Sequence, residues 1–466
     1  MTYVRTYAAR GDGAVREITE RYARFLYWIA SRSRAKTLSK ELAHGLELGL
    51  TICLFALSLP LGAYPLDSYE VTGIGRLEEA RRVQAGELNG VKQPSGALLT
   101  REQVTPRLLA YKNLELPTPD PKFTAEITHL LGGFADRYAL AVLDISDPAQ
   151  PVYAELNGKV SRNPGSVGKL LVALGVFQAL ADIYPDDLEK RWQLLRDTPV
   201  IADEFVISDS HTVRRWDRQH ERLIRRPLQP GDPGSFFENL DWMLSASSNS
   251  AAGTVAKQGM LLKALGTAYP PDDAAGKAFF RQTPRGELSA LLADFIETPV
   301  TRNGLDLTQL RQGSFFTRVG KQKVQGKSSY ATVRELMKFM LRLEQGRIVD
   351  EFSSTEIKRL LYSTERRIRY ASSPALVDSA VYFKSGSLFG CQPEPGFVCR
   401  PYQGNVRNFM NSVAIIEYPS GDRRLHYIVS LMSNVLRRNS AVDHQSLATK
   451  IHRLLQARHL APVGSN

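Results

Sequence analysis

The order of elements along the chain predicts an α/β fold of the α+β kind, with a five-stranded antiparallel sheet flanked by helices. Three observations support this prediction: two strand patterns come first, a long helical section follows, and three more strand patterns precede a closing helix. An all-helical lobe is therefore expected between the two groups of strands, with the first and last helices covering the sheet. An uncharged segment ahead of these elements predicts one transmembrane helix.

That uncharged segment is residues 48–66, LGLTICLFALSLPLGAYPL, which is about long enough to cross a bilayer. Many arginines and lysines precede it, so the positive-inside tendency assigns residues 1–47 to a cytoplasmic basic region and everything after Asp67 to the outside. Residues 56–58 resemble a signal-peptidase site, so a cleaved signal is one alternative, and a buried globular helix is another. The long basic leader favours an uncleaved anchor.

The net charge of the chain indicates which classes of binding partner it favours. The 466 residues carry a formal charge of +12, which suits an anionic environment such as a membrane surface, a cell-wall polymer or nucleic acid. The densest basic cluster, residues 214–226, is not accompanied by a nucleic-acid-reading motif, so we expect no nucleic-acid partner. Hydrophobic residues at 43% and charged residues at 23% are typical of a globular protein.

Cysteine and histidine usage limits the chemistry. Of the three cysteines, Cys391 and Cys399 bracket a short loop with proline and glycine. They form a disulfide if this part of the chain lies in an oxidising compartment, and are two free thiols otherwise. The eight histidines show no metal-ligand spacing, so we expect no metal and no cofactor.

The elements follow in order after the uncharged segment. Residues 67–122 contain charges and several prolines and are interpreted as a stalk or accessory region, and residues 123–461 as the main domain. Strand patterns are found at residues 138–145, 151–157, 380–390, 412–418 and 425–432. Helical patterns are found at residues 122–137, at 330–346 and at 440–455, and one begins at Ser166.

The segment Ser166-Val167-Gly168-Lys169 stands at the start of an apolar helical run. A serine hydroxyl is a poor nucleophile until a neighbour takes its proton, and side chains at i and i+3 lie on one helix face. Lys169 can accept that proton only if its pKa is lowered, which burial and a second cation would favour. The alternative is an ordinary helix start, and the same pattern occurs at residues 33–36 without other signs of a site.

Two more motifs follow in the chain. Ser247-Ser248-Asn249 lies in a serine-rich stretch, and Lys384-Ser385-Gly386 lies on a predicted strand. Taken singly, the first is equally a polar loop and the second a strand end with a solvated lysine. Taken together, in the order Ser-x-x-Lys, Ser-x-Asn, Lys-Ser-Gly, they predict one catalytic site.

This set resembles the penicillin-recognising serine enzymes, namely the class A β-lactamases and the related D,D-peptidases and penicillin-binding domains. The resemblance covers residues 123–460 and implies a β-lactamase/D,D-peptidase-like fold. It implies that Ser166 is the nucleophile, Lys169 its base and Ser247 a proton relay, with the oxyanion hole at the N–H groups of Ser166 and Ser387. The residues that it assigns to substrate binding are Asn249, Lys384, Ser385, Gly386 and Ser387.

The sequence departs from class A β-lactamases at one point. Those enzymes carry a loop glutamate that activates the deacylating water, whereas residues 313–329 of this chain contain no acidic residue. Glu297 lies upstream, without a convincing sequence context. The acyl-enzyme could therefore persist, as in the penicillin-binding peptidases.

Three functions follow from these patterns. The first is an exported, membrane-anchored serine hydrolase that forms an acyl-enzyme at Ser166 with a β-lactam or a D-Ala-D-Ala-like amide. The second is a cell-wall D,D-peptidase or transpeptidase acting on a peptidoglycan-derived peptide. The third is a non-hydrolytic penicillin-binding sensor that signals through the anchor. All three place the catalytic domain outside the cytoplasmic (inner) membrane of a bacterium, and none specifies an oligomeric state.

Overall fold

Five strands form one antiparallel sheet in the computed structural model, which describes residues 67–207, 209–365 and 367–459. The strands are β1 Tyr138–Asp144, β2 Val152–Leu156, β3 Ala380–Gly390, β4 Arg407–Tyr418 and β5 Leu425–Asn434. Their order across the sheet is β2-β1-β5-β4-β3. The two groups of strands meet because β1 pairs with β5, with Tyr138 opposite Ser433 and Asp144 opposite Tyr427.

Thirteen α-helices accompany the sheet within the described residues. In chain order they are α1 Ser68–Thr72, α2 Gly75–Ala85, α3 Pro121–His129, α4 Lys169–Ile183, α5 Leu188–Asp197, α6 Phe236–Leu244, α7 Asn249–Leu265, α8 Asp273–Gln282, α9 Arg285–Arg302, α10 Arg318–Lys323, α11 Val333–Glu344, α12 Glu351–Tyr362 and α13 Ser440–His459. Helices α4 to α12 all lie between β2 and β3 in the chain, as the element order predicts.

Both faces of the sheet are buried, since side chains alternate along each strand. Leu140 and Val142 of β1 belong to the cluster that contains Phe123 of α3 and Ile451 of α13. The intervening residues of β1 belong to a second, larger cluster that includes the apolar side chains of α4 and α11. The sheet is therefore covered by the first and last helices of the predicted main domain on one face and by the helical lobe on the other.

Two features of the lobe and sheet differ from the sequence prediction. The lobe is not all-helical: short strands pair Pro199–Ile201 with Pro233–Ser235, Val213–Asp217 with Arg222–Arg226, and Leu310–Arg311 with Tyr330–Ala331. Strand β4 begins at Arg407, five residues ahead of the predicted start at residue 412. Its first residues were not recognised as a strand from the sequence, and they are extended because β3 pairs with them from Arg407 and β5 from Phe409.

Residues 67–122 pack against the rest of the described chain and do not stand apart from it as a stalk would. Leu77, Val104 and Leu108 are fully buried in the larger core cluster. Arg76 of α2 donates two hydrogen bonds to the Asp241 carboxylate on α6, at 2.6 and 2.5 Å, and neither side chain is exposed. The boundaries at residues 47, 66, 122 and 461 remain predictions.

The predicted transmembrane helix at residues 48–66 lies outside the described residues. Within them, one helical segment is long and apolar enough to span a membrane, Gly165–Ile183. It is the core helix that begins at the Ser-x-x-Lys motif, and 78% of its apolar window is buried inside the protein. Its composition is explained by the core that it fills.

Candidate active site

Ser166 lies in a 3₁₀ turn, Gly165–Gly168, that continues directly into α4 at Lys169. In a 3₁₀ turn the side chains at i and i+3 eclipse each other, which brings residues 166 and 169 closer than an α-helix would. Lys169 Nζ is 2.9 Å from Ser166 Oγ. No capping hydrogen bond from a side chain is formed at this helix start, so Ser166 does not act as an ordinary N-cap.

The amino group of Lys169 is enclosed by three oxygen atoms. Besides Ser166 Oγ, Nζ lies 2.6 Å from the Ser247 carbonyl oxygen and 2.8 Å from Asn249 Oδ1. A carbonyl and an amide oxygen can only accept, so they take two N–H groups, which are all that a neutral amine has. The lone pair of that amine is then left for the hydroxyl of Ser166. The arrangement fits a lysine that receives a proton from the serine.

Ser247 connects the two lysines of the motifs. Its backbone has φ +62°, a left-handed conformation that is uncommon for serine. Its carbonyl oxygen accepts from Lys169, while its Oγ accepts from Lys384 Nζ at 2.8 Å. Ser247 Oγ therefore lies beside the Lys384 ammonium group, and Lys169 connects Ser247 to the Ser166 hydroxyl. This position suits a residue that passes a proton.

Asp209 positions the Ser-x-Asn segment, and the sequence analysis did not single it out. Its Oδ2 accepts from Ser248 Oγ at 3.0 Å and from the backbone N–H groups of Asn249 and Ser250 at 2.7 and 2.9 Å. Burial raises the pKa of Asp209, but hydrogen bonds and charge from His211 and the Ser250 N–H outweigh burial and hold the pKa below its ordinary value. A lone aspartate in a loop 38 residues or more ahead of the motif carries no sequence signal.

The Lys-Ser-Gly motif lies on β3, an edge strand of the sheet. A Cβ atom on Gly386 would lie 2.5 Å from the Ser166 backbone nitrogen, so only glycine lets the strand approach the turn so closely. A Cβ on Gly165 would likewise lie 3.2 Å from the Ser387 nitrogen. The backbone amides of Ser166 and Ser387 are therefore neighbours, as an oxyanion hole requires.

Arg369 is a second residue that the sequence analysis missed. Its guanidinium donates to Ser385 Oγ at 2.8 Å and to Ser387 Oγ at 2.9 Å. With the buried Lys384 it forms a cationic group beside the free edge of β3. A guanidinium and hydroxyl groups together suit a carboxylate.

The family comparison covers the later part of the described chain. Residues 292–454 match the model of the beta-lactamase enzyme family. Over these residues the chain is similar to the beta-lactamase enzyme family, and this similarity supports a serine hydrolase. The matched residues include the third motif, whereas Ser166 and Ser247 lie ahead of them, so their assignment depends on the geometry given above.

Several solved structures are similar to this chain. PBP-A is 13% identical, with a TM-score of 0.46 over 74% of this chain and 99% of that chain. A beta-lactamase from Sphaerobacter thermophilus is 14% identical, with a TM-score of 0.45 over 73% of this chain and 97% of that chain. A class A beta-lactamase representative from Bacteroides cellulosilyticus is 14% identical, with a TM-score of 0.47 over 74% and 100%. No curated protein matches the chain.

All three motifs line one cavity of about 290 Å³, which we call the motif cavity. None of the described residues that line it is an aspartate or a glutamate. Gln312 lies in its wall, is 4% exposed, and lies directly against Gly168 between the serine and the lysine of the first motif. An amide, and not a carboxylate, therefore lies against the turn that carries Ser166.

Cys391 and Cys399 are joined by a disulfide. The bridge closes the loop that connects β3 to β4. The same loop carries Tyr402, which lines the motif cavity and whose ring lies 4.9 Å from the Arg369 guanidinium carbon. The disulfide therefore closes the first part of the connection, residues 391–399, and the cavity residue Tyr402 follows it.

One acidic cluster of the described residues, Glu344, Glu417 and His426, has ligand atoms close enough together to hold a metal. Lys358 Nζ lies among them, 2.6 Å from a Glu344 oxygen and 2.8 Å from a Glu417 oxygen. Burial raises the pKa of Glu344, but the Lys358 charge and the His426 contact outweigh burial and lower the pKa to about 2. A lysine ammonium neutralises the two carboxylates, so a buried ion network explains this cluster.

Proposed function

We propose that this chain is an exported, membrane-anchored serine hydrolase that forms an acyl-enzyme at Ser166 with a β-lactam or a D-Ala-D-Ala-like amide. One observation carries the proposal: Lys169 Nζ lies 2.9 Å from Ser166 Oγ, Lys384 Nζ lies 2.8 Å from Ser247 Oγ, and both serines line one cavity. Serine and lysine side chains paired in this way supply a nucleophile, a base and a proton relay.

The reaction follows from those contacts. Lys169 takes the hydroxyl proton while Ser166 Oγ attacks the amide carbon. The oxygen that becomes negative lies between the N–H groups of Ser166 and Ser387, each worth about 3–4 kcal/mol in the transition state. The proton then passes through Ser247 to the leaving nitrogen as the carbon–nitrogen bond breaks. The product is an ester on Ser166.

Substrate orientation follows from the charges along β3. Lys384, Ser385 and Arg369 bind the substrate carboxylate, and Asn249 binds the amide of the acyl side chain. Gly386 lets the substrate lie along the strand edge in extended form. The substrate carboxylate and the acyl side chain then lie on opposite sides of the scissile bond.

Hydrolysis of the ester is the slow step. An acyl-enzyme needs a base to activate water, and the lining residues offer no carboxylate at the position of Gln312. This favours two alternatives to a rapid lactamase: a D,D-peptidase or transpeptidase whose acyl group passes to another acceptor, and a penicillin-binding sensor whose acylated state persists.

The proposed location is the bacterial inner membrane, with the catalytic domain on its outer side. The disulfide between Cys391 and Cys399 supports an oxidising compartment. The anchor at residues 48–66 rests on the sequence alone.

Covalent labelling tests the nucleophile. We expect a fluorescent penicillin to label the purified protein covalently, and Ser166→Ala to abolish the labelled band on a denaturing gel. Ser161→Ala, at an exposed serine five residues earlier in the chain, is the matched control and should be labelled like the wild type. Labelling of Ser166→Ala at the wild-type rate would show that another residue is the nucleophile.

A chromogenic cephalosporin separates the three functions. A single stoichiometric burst of colour indicates trapping, and sustained colour indicates hydrolysis. Release of D-alanine from a D-Ala-D-Ala peptide, added in a separate reaction, then distinguishes a peptidase from a sensor.

A further inference from the structure

The described residues that line the motif cavity include several cationic side chains and no aspartate or glutamate. Among the described lining residues, the basic side chains are Lys321, Lys384, Arg369 and His211. Lys169 lies behind them, with its Nζ 2.9 Å from the lining residue Ser166. The proposed chemistry uses Lys169 for proton transfer, and Lys384 and Arg369 for the substrate carboxylate. Lys321 has no role in those steps.

Lys321 lies on a different wall from the carboxylate site. It belongs to α10, which follows the loop residues Phe315 and Phe316, whereas Lys384 and Ser385 lie on β3. Phe316 reaches the centre of the site, since its ring lies 4.9 Å from Lys169 Nζ. Lys321 and Phe316 therefore belong to a part of the cavity lining that is separate in the chain from β3. A substrate side chain that extends from Ser166 toward this part of the lining would approach Lys321.

The acidic groups near α10 are already paired. Lys323, two residues further along α10, forms an ion pair with Glu204 at 3.1 Å, and Lys327 forms one with Glu297 at 3.1 Å. Asp209 accepts from His211 Nδ1 at 2.7 Å and from the Ser-x-Asn segment. Lys321 itself is exposed and makes no ion pair with a described residue. Its ammonium group is available to a ligand.

We propose that Lys321 selects acyl donors that carry a second negative charge on the acyl side chain, so that the preferred substrate is dianionic. One carboxylate binds at Lys384, Ser385 and Arg369, and the second approaches Lys321. This inference deepens the proposed function and rests on it. The attraction acts across an exposed site, so it is modest in size and weakens as salt increases.

Three penicillins that differ only at one carbon provide the test. Benzylpenicillin, its α-carboxyl derivative and its α-amino derivative share the bicyclic nucleus and the phenyl ring, and differ by one unit of side-chain charge in each direction. We expect the second-order acylation rate constant at low ionic strength to fall in the order carboxyl, unsubstituted, amino. Lys321→Gln should reduce the carboxyl-to-unsubstituted ratio by about two- to fivefold, and Lys321→Glu should favour the amino compound.

Lys327→Gln is the matched control, because it removes the same charge from the segment that follows α10, at a residue that does not line the motif cavity. It should keep the wild-type ratio. Added salt at roughly 0.5 M should reduce that ratio in the wild type and in Lys327→Gln but not in Lys321→Gln, since screening removes the attraction that Lys321 supplies. An equal ratio in wild type and Lys321→Gln would overturn the inference. So would an equal reduction in Lys327→Gln, because general surface charge would then explain the preference.

A non-covalent measurement separates failure of the inference from failure of the proposed function. Ser166→Ala cannot be acylated at residue 166, so its equilibrium affinity for the three compounds, measured by calorimetry, reports charge selection alone. Tighter binding of the carboxyl compound, lost on adding Lys321→Gln, supports the inference even if no penicillin labels the wild type. Equal affinities for the three compounds would overturn it, whether or not Ser166 is acylated.

Discussion

Gln312 is the residue whose chemistry limits turnover of the proposed acyl-enzyme. Its side chain is buried against the turn that carries Ser166, and its Nε2 donates to the Ser314 carbonyl oxygen at 2.6 Å. An amide at this place can hold a water molecule but cannot take its proton. The rate of deacylation should therefore depend on whether this one side chain is an amide or a carboxylate.

We expect Gln312→Glu to speed deacylation. A positioned general base contributes about 10²–10⁴-fold, so a steady rate of colour should follow the burst with the chromogenic cephalosporin. Gln325→Glu, at an exposed position in the same loop, adds the same charge away from the cavity and should leave the trace unchanged. If acylation by the Gln312→Glu variant is intact and its trace still ends after one burst, the water is activated elsewhere.

At the scale of elements, helix α13 is held on the sheet by two histidines that are buried in neutral form. His444 contacts Ser412 Oγ and Ser433 Oγ at 3.0 and 2.9 Å, and His452 contacts Tyr427 Oη at 3.0 Å. Burial, with the nearby Arg369 charge, lowers the pKa of His444 to about 3, and burial lowers that of His452 to about 4. Docking of the closing helix is therefore sensitive to acid.

The sign of the pH effect follows from those lowered pKa values. The unfolded histidine takes up its proton near pH 6.5, roughly, while the folded one does not, so stability falls as pH decreases from that value towards the folded pKa. For His444 the loss of unfolding free energy between pH 7 and pH 5 is about 2 kcal/mol. We therefore expect the unfolding free energy of His444→Gln, measured by urea denaturation, to fall between pH 7 and pH 5 by about 2 kcal/mol less than that of the wild type.

Exposed His129 provides the control for this measurement. His129→Gln removes one histidine from a helix on the same face of the sheet without altering the α13 contacts. Its unfolding free energy should fall between pH 7 and pH 5 by as much as that of the wild type. A His444→Gln variant with the full wild-type pH dependence would show that this histidine is not buried neutral.

At the scale of the whole molecule, the described chain from residue 67 onward shares its packing with the catalytic domain. Helix α2 contacts α6 through the buried Arg76–Asp241 pair. It also contacts the hairpin of residues 213–226, which we call the arginine-rich hairpin, through the ion pairs Glu78–Arg218 at 2.7 Å and Glu79–Arg214 at 3.4 Å. Part of the basic cluster at residues 214–226 is therefore neutralised by ion pairs with acidic residues of the same chain. These ion pairs join residues 67–122 to the helical lobe that carries Asp209 and Ser247.

We expect Arg76→Met to lower the free energy of unfolding by about 3–5 kcal/mol, because it leaves the Asp241 carboxylate buried without its partner. The double variant Arg76→Met/Asp241→Leu should recover most of that loss, since no unpaired charge remains. Both are measured by urea denaturation.

Arg81→Met on the same helix is the control, because its ion pair with Glu87 is exposed and the change should have little effect. If Arg76→Met proved as stable as Arg81→Met, residues 67–122 would not be an integral part of the domain. A double variant no more stable than Arg76→Met alone would show that the buried pair is not the cause.

Local patterns in the sequence were sufficient for the sheet and for the three motifs. Strands such as β1 and β5 are long apolar runs with a period of two, and a closing helix shows its apolar face at every third or fourth residue, so neither needs a partner to be recognised. The start of β4 at Arg407 and the arginine-rich hairpin were missed, because pairing with other parts of the chain produces them and local residue preference does not.

The sequence by itself determined which residue types the site contains: Ser166 with Lys169, Ser247 with Asn249, and Lys384 with its neighbours, since each motif is a few consecutive residues. Only the tertiary structure decided what surrounds them. Arg369, Asp209 and Gln312 come from separate loops, and no spacing in the chain marks them. The physical reason is that hydrogen bonds and burial act over a few ångströms in space, and the distance between residues along the chain does not limit which side chains they join.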